Sequence, residues 1–174
     1  MYCKHVALCS TCEPGWRFSP HSRKCTKFFT KAVTWTEAEF HCRILGGYHL
    51  SIHGVKENKF AKEIAHDAPE IWLGIAEFGK SLKKQWSDKS AFDFKGWKNG
   101  QKPESQPGKP CTKMNTTNGE WFQSCCRKVA PYICQKDSQS RQPYHVEKMK
   151  NDIVTHKSKR DVPFEQRWRF LLRK

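Results

Sequence analysis

Apolar positions recur along the chain with two periods, and each predicts an element. In TWTEAEFHCRILGG (residues 34–47), Trp35, Ala38, Cys42 and Leu45 fall on one helical face. Thr34 followed by Glu37 has the spacing of a capping box, and Gly46-Gly47 ends the helix. In VKENKFAKEIAH (55–66), Val55, Phe60 and Ile64 lie roughly on one side, which predicts a second helix. IWLGI (71–75) is a short apolar run that reads as a buried strand. From Phe78 to Pro110 neither period persists, and Gly, Pro, Ser and Lys dominate. That stretch reads as loop, far longer than the usual connection. Long loops on rigid scaffolds commonly carry function. Order is expected from Cys12 to about Cys134.

Composition adds cross-links and charge. A chain of 174 residues suits one domain plus an extension. Nine cysteines with seven tryptophans suggest a compact cross-linked module, stable in an oxidising compartment. The net charge of +15 favours anionic partners: nucleic acid, sulfated glycan, acidic protein or a membrane surface. No run approaches the roughly 20 apolar residues of a membrane span. MYCKHVALC lacks the apolar core of about 7 to 15 residues found in secretory signals, so the chain reads as a secreted protein without its leader. A cytosolic protein with reduced thiols is the alternative.

Cys9 and Cys12 have the two-residue gap of a zinc site, with Cys3 and His5 nearby, but no second pair follows at matching spacing. No nucleophile elbow, phosphate loop or metalloprotease helix is present, so the chain is not expected to be an enzyme.

Taken as an ordered set, CEPGWRFSPHSRKC, TWTEAEFHC, WLGI, the tryptophans of QWSDKSAFDFKGW and the closing PYIC resemble a C-type lectin-like domain in its long form. The cysteine spacing around GEWFQSCC is most similar to secreted nematode members. The resemblance covers residues 12–135 and implies an α+β, disulfide-stapled fold with two helices, small antiparallel sheets and a long ligand-binding loop region. It divides the chain into an N-terminal extension (1–11), the lectin-like domain (12–136) and a basic C-terminal extension (137–174). It also implies the bridges Cys12–Cys25 and Cys42–Cys134. For Cys111, the family's partner lies five positions after the motif tryptophan and eight before the last cysteine, which selects Cys126. Strand alternation then turns Cys125 away from Cys111. The extra cysteines are Cys3, Cys9 and Cys125. Two of these can pair, and Cys125 with Cys3 or Cys9 is the favoured choice. The third is left free or bonded to a second chain, as in a disulfide-linked dimer.

The sugar-binding members hold calcium through a Glu-Pro-Asn or Gln-Pro-Asp loop, an acid before the third cysteine, and Asn-Asp after the tryptophan. Here the loop reads WKNGQKPESQPGKPC. Pro103 takes the proline's place, with Gln101 or Lys102 before it and Glu104 after it. Lys109 replaces the acid before Cys111, and Phe122-Gln123 follow Trp121. Calcium needs about six to eight oxygens, and an ammonium group only donates. The calcium site is therefore expected to be lost, with no cofactor in its place.

What the loop does carry is charge. Lys80, Lys83, Lys84, Lys89, Lys95, Lys98, Lys102, Lys109 and Lys113 stand against Asp88, Asp93 and Glu104. The expected partners are anionic or sulfated glycans and glycoproteins, recognised without calcium through Lys98, Gln101, Lys102, Glu104, Lys109, Trp121, Phe122 and Gln123. The alternative is a protein ligand anchored on Trp121 and Phe122, and nucleic acid is the least favoured. Residues 136–174 hold eleven basic and five acidic groups. They read as a disordered tail or, around Phe164, Trp168, Leu171 and Leu172, as an amphipathic membrane-surface contact. KSKR (157–160) has the form of a dibasic processing site. Asn115-Thr116-Thr117 is a glycosylation acceptor in a secreted chain.

Overall fold

The computed structural model describes residues 10–78, 83–101 and 103–140. Ser10–Gln139 form one compact unit. In chain order the elements are β1 (Ser10–Thr11), β2 (Arg17–Phe18), β3 (Lys24–Val33), α1 (Trp35–Ile44), β4 (Tyr48–His49), α2 (Val55–Ile64) and β5 (Glu70–Phe78). They continue with β6 (Lys83–Trp86), a 3-10 turn at Lys98–Gly100, β7 (Cys111–Asn115), β8 (Trp121–Ser124), β9 (Ala130–Asp137) and β10 (Gln139–Ser140).

Helix α1 starts where the capping box places it. Thr34 Oγ1 accepts from the Glu37 N–H, and Glu37 Oε2 accepts from the Thr34 N–H at 2.9 Å. Its buried face is Trp35, Ala38 and Cys42. Helix α2 buries Phe60 and Ala61, but Val55 is 72% exposed. Val55 is the first residue of the helix, and only the later turns of α2 reach the core.

The main sheet runs β2-β3-β9-β5-β7-β8, with β4 added on β9 and β6 on β5. Its central strand β5 alternates between two cores. Ile71, Leu73 and Ile75 face one, with Leu50, Ile52, Trp86, Trp97, Met114 and Trp121. Trp72 and Ala76 face the other, with Trp35, Cys42, Tyr132 and Cys134. A strand buried on both faces shows no alternation in its sequence, which is why IWLGI reads as a continuous apolar run.

Strand β6 lies inside the stretch expected to be loop. Its sequence is Lys-Lys-Gln-Trp, and burial alternates along it, with Lys84 and Trp86 inward. Lys84 is an inward position only because its Nζ is paired to Glu77 across the β5–β6 hairpin, so hydropathy cannot reveal it.

The bridges present are Cys12–Cys25, Cys42–Cys134 and Cys111–Cys126, the same pairs that the resemblance implies. Among the described residues Cys125 is the free thiol. Both Cys125 and Cys126 lie beyond the end of β8, so a turn and not strand alternation separates their directions. Cys3, Cys9 and residues 141–174 of the C-terminal extension lie outside the described residues, whereas Asp137 closes β9 and Gln139–Ser140 form β10. Cys12 is committed to Cys25 and is not available to a zinc site. No helix among the described residues is long and apolar enough to cross a membrane.

Candidate functional site on the long loop

Trp121 forms the floor of the site. Its ring is 1% exposed and meets Trp86, Phe94 and Trp97 edge-on, at centroid distances of 5.6, 5.5 and 5.6 Å. Its backbone N–H donates to Gly96 O at 2.8 Å. A Cβ at Gly96 would stand 2.4 Å from the indole, so the loop can lie this close only where residue 96 has no side chain. Trp121 is thus part of the core under the site and not the exposed anchor expected from the sequence. Three rings and a satisfied indole N–H hold it down.

Above this floor lies a hollow of about 310 Å³. Trp97, Lys98, Gln101, Pro103 and Gln106 line it from the loop, and Trp121, Phe122 and Gln123 from β8. Phe122 is 37% exposed. Both polar atoms of the Gln123 amide are buried without a partner, as is the Trp97 indole N–H. The fold therefore brings Lys98, Gln101, Trp121, Phe122 and Gln123 to one place. Glu104 and Lys109 are exposed and do not line the hollow. Lys102 lies outside the described residues.

Among the described residues, no carboxylate lines the hollow. The acids nearest in sequence are engaged elsewhere. Asp88 accepts from Ser51, Ser90, Lys24 and Gln135. Burial works to raise its carboxyl, and the Ser90 and Ser51 hydrogen bonds outweigh that and hold it below the ordinary range. Asp93 accepts from His53 Nδ1 at 2.8 Å, and that bond holds its carboxyl low. Among the described residues no three His, Cys, Asp or Glu groups are clustered to hold a metal. A calcium ion needs several carboxylate oxygens, and the residues lining this hollow do not supply them.

The loop is fastened at several points. Ser105 Oγ donates to Glu77 Oε2 at 2.6 Å, His53 holds Asp93, and Asp88 ties the loop's start to β3 and β9. The basic set is smaller than the sequence count. Lys84 is buried against Glu77. Lys113 is buried, 2.6 Å from Glu70 and 4.5 Å from the centre of the Trp72 ring. Lys83, Lys89, Lys95, Lys98 and Lys109 are exposed. Asn58, whose Oδ1 accepts the Trp121 indole N–H at 2.9 Å, and Gly96 position the floor, and neither belongs to a motif visible in the sequence. Near the far end of β8, the Arg127 backbone N–H holds the free Cys125 thiol below its ordinary value, against a smaller opposing effect of burial.

The family model for the lectin C-type domain matches residues 31–136. This chain belongs to the C-type lectin family. It is 30% identical to the galactose-specific lectin nattectin of Thalassophryne nattereri over 132 residues, which is 74% of this chain and 82% of nattectin. It is 33% identical to a lectin of Pleurodeles waltl over 131 residues, covering 71% and 75% of the two chains. Among solved structures, a calcium-independent type II antifreeze protein superposes with a TM-score of 0.69 at 26% identity, over 78% of this C-type lectin and all (100%) of the antifreeze chain. The cow CD23 carbohydrate-recognition domain, solved with a GlcNAc2Man3 oligosaccharide, superposes with a TM-score of 0.66 at 25% identity, over 75% and 99%. Members of this family are generally binding proteins and not enzymes.

Proposed function

We propose that this C-type lectin is a secreted, non-catalytic recognition module that binds anionic or sulfated glycans on its long loop without calcium. The observation that carries the reading is the lining of the hollow. Among the described residues it holds an ammonium group, several amides and an exposed ring, with no carboxylate. Amide and ammonium groups bond sugar hydroxyls and sulfate oxygens directly, where a calcium ion would need acidic oxygens. The unpartnered Gln123 amide and Trp97 N–H supply polar atoms that a bound hydroxyl would satisfy. Lys98 in the hollow, with exposed Lys95 and Lys109 and the sequence neighbour Lys102, supplies positive charge for a polyanion. The C-type lectin fold is used without the ion elsewhere, since one superposing structure is a calcium-independent antifreeze protein. The relative nattectin is galactose-specific, so a galactose-containing acidic chain is the first ligand class to try.

A protein ligand is the second reading, favoured by Phe122 standing exposed at the rim. The two differ in salt dependence. Glycan-array binding measured with and without chelator, at low salt and at about 0.5 M where screening shortens to a few ångströms, tests the proposal. Binding that survives chelator and falls steeply with salt supports the glycan reading. Loss in chelator, or indifference to salt, overturns it. Replacing Lys98, Lys102 and Lys109 together by Ala is expected to weaken the binding severalfold.

A further inference from the structure

We propose that Asn115 carries an N-linked glycan whose inner sugars rest in the hollow between the β7–β8 turn and α2. The proposal rests on the secreted reading above. The acceptor is Asn115-Thr116-Thr117. Burial alternates through it: Asn115 is partly exposed, Thr116 is buried and Thr117 is exposed. Thr116 is held inward, its hydroxyl donating to Ala68 O and its N–H to Pro69 O. The two residues a transferase must read therefore stand together on the outer side. Asn115 Oδ1 accepts from the Thr117 N–H at 2.8 Å and the Asn118 N–H at 3.3 Å, which fixes the side chain by its oxygen. None of the hydrogen bonds seen here engages its Nδ2.

The covalent step needs that nitrogen. Nδ2 bonds to the anomeric carbon of an oligosaccharide carried on a polyprenyl diphosphate. The carbon–oxygen bond to the diphosphate breaks, the diphosphate leaves with the electron pair, and the amide yields one proton to the transferase. The product has somewhere to lie. Thr116 and Thr117 border a hollow of about 320 Å³ whose other walls are Lys59, Lys62, Glu63 and His66 of α2 and its end. That size suits a small ligand, and its ammonium, carboxylate and imidazole groups both donate to and accept from sugar hydroxyls. This hollow shares no lining residue with the loop hollow. The glycan thus covers the basic side of α2 and leaves the loop lysines as the exposed anion-binding face.

The test expresses the full chain behind a secretory leader in eukaryotic cells and reads the Asn115 peptide by mass spectrometry before and after an amidase that converts a glycan-bearing Asn to Asp. Conversion at Asn115 is expected, lost in Thr117→Ala and kept in Thr117→Ser. Should the chain be retained, the lumenal fraction gives the same reading. An unmodified Asn115 peptide overturns the proposal. In the glycosylated form, amine acylation of Lys59 and Lys62 is expected to fall severalfold relative to the amidase-treated form, with Lys98 and Lys109 unchanged. Equal acylation overturns the placement in the hollow. No ligand enters these measurements, so their failure and failure of the loop reading are distinguishable.

Discussion

The Trp121 indole donates its Nε1–H to Asn58 Oδ1 at 2.9 Å, so a helix residue far away in sequence holds the floor of the loop hollow. The same side chain donates Nδ2–H to Gly119 O at 2.9 Å, tying α2 to the β7–β8 turn as well. Asn58→Ala leaves a buried indole N–H and a turn carbonyl without partners, at a cost of about 1–3 kcal/mol for the buried group. A lower midpoint in urea with an unchanged slope is expected, together with weaker glycan binding. An unchanged midpoint would show that the bond does not matter to the floor.

Gly96 lies under the same constraint from the other side. Gly96→Ala places a methyl 2.4–2.8 Å from the Trp121 ring, which three other aromatic rings prevent from moving aside. The loop must therefore lift. Glycan affinity is expected to drop more than stability does, and Gly54→Ala, where a Cβ meets nothing within 4 Å, serves as the control. Equal behaviour of the two variants in a binding titration would refute this account.

Lys84 and Glu77 form a buried pair whose side chains are 1% and 2% exposed. Removing Lys84 takes the facing cation from the buried Glu77 carboxylate and leaves it the Ser105 hydrogen bond, at a cost of up to about 3–5 kcal/mol. Lys84→Met is thus expected to destabilise strongly. The double variant Lys84→Met/Glu77→Leu should recover most of the loss, and denaturant unfolding of all three chains reads the cycle. A double variant no better than the single one would mean that the Glu77 carboxylate does not depend on Lys84.

His49 is fully buried between the Trp35 and Tyr132 rings, and desolvation pushes its pKa down to about 3. The Glu39 carboxylate lies 3.7 Å from Nδ1, beyond hydrogen-bond reach, and does not offset the burial. The native state keeps His49 neutral while the unfolded chain protonates it near pH 6.5. Stability held above that pH is therefore lost as pH falls from about 6.5 toward 3, on the order of 1 kcal/mol per pH unit. His49→Phe is expected to flatten this part of the stability–pH curve. Identical slopes for the two chains would exclude His49 as the source.

Calcium at millimolar concentration is expected to leave the melting temperature unchanged, because a ligand that binds only the native state must raise it. A shift reversed by chelator would point to oxygen ligands outside the hollow.

What could be read from the sequence followed physical rules with short reach. The capping box at Thr34 and Glu37 depends on four neighbouring residues, and the both-face burial of β5 shows in its own five apolar letters. The misjudged features depend on partners in other elements of the fold. Lys113 looked like surface charge because nothing in its neighbourhood reveals Glu70 or the Trp72 ring. Strand β6 looked like loop because its inward lysine is neutralised from another strand. Trp121 sat in a family motif position suggestive of the ligand, and only Asn58 and the rings around it show that it faces inward.

The several fastenings of the long loop have a thermodynamic consequence. Ser105 to Glu77, His53 to Asp93, Asp88 to Ser51 and the Gly96–Trp121 contact tie four points of the loop to the body of the domain. The conformational entropy of that stretch is given up when the protein folds, not when a ligand arrives. For a ligand of the proposed kind, encounter then needs no rearrangement at these four points, and association is expected to proceed at the rate set by diffusion and charge. Differences in affinity between ligands reside in how fast each one leaves.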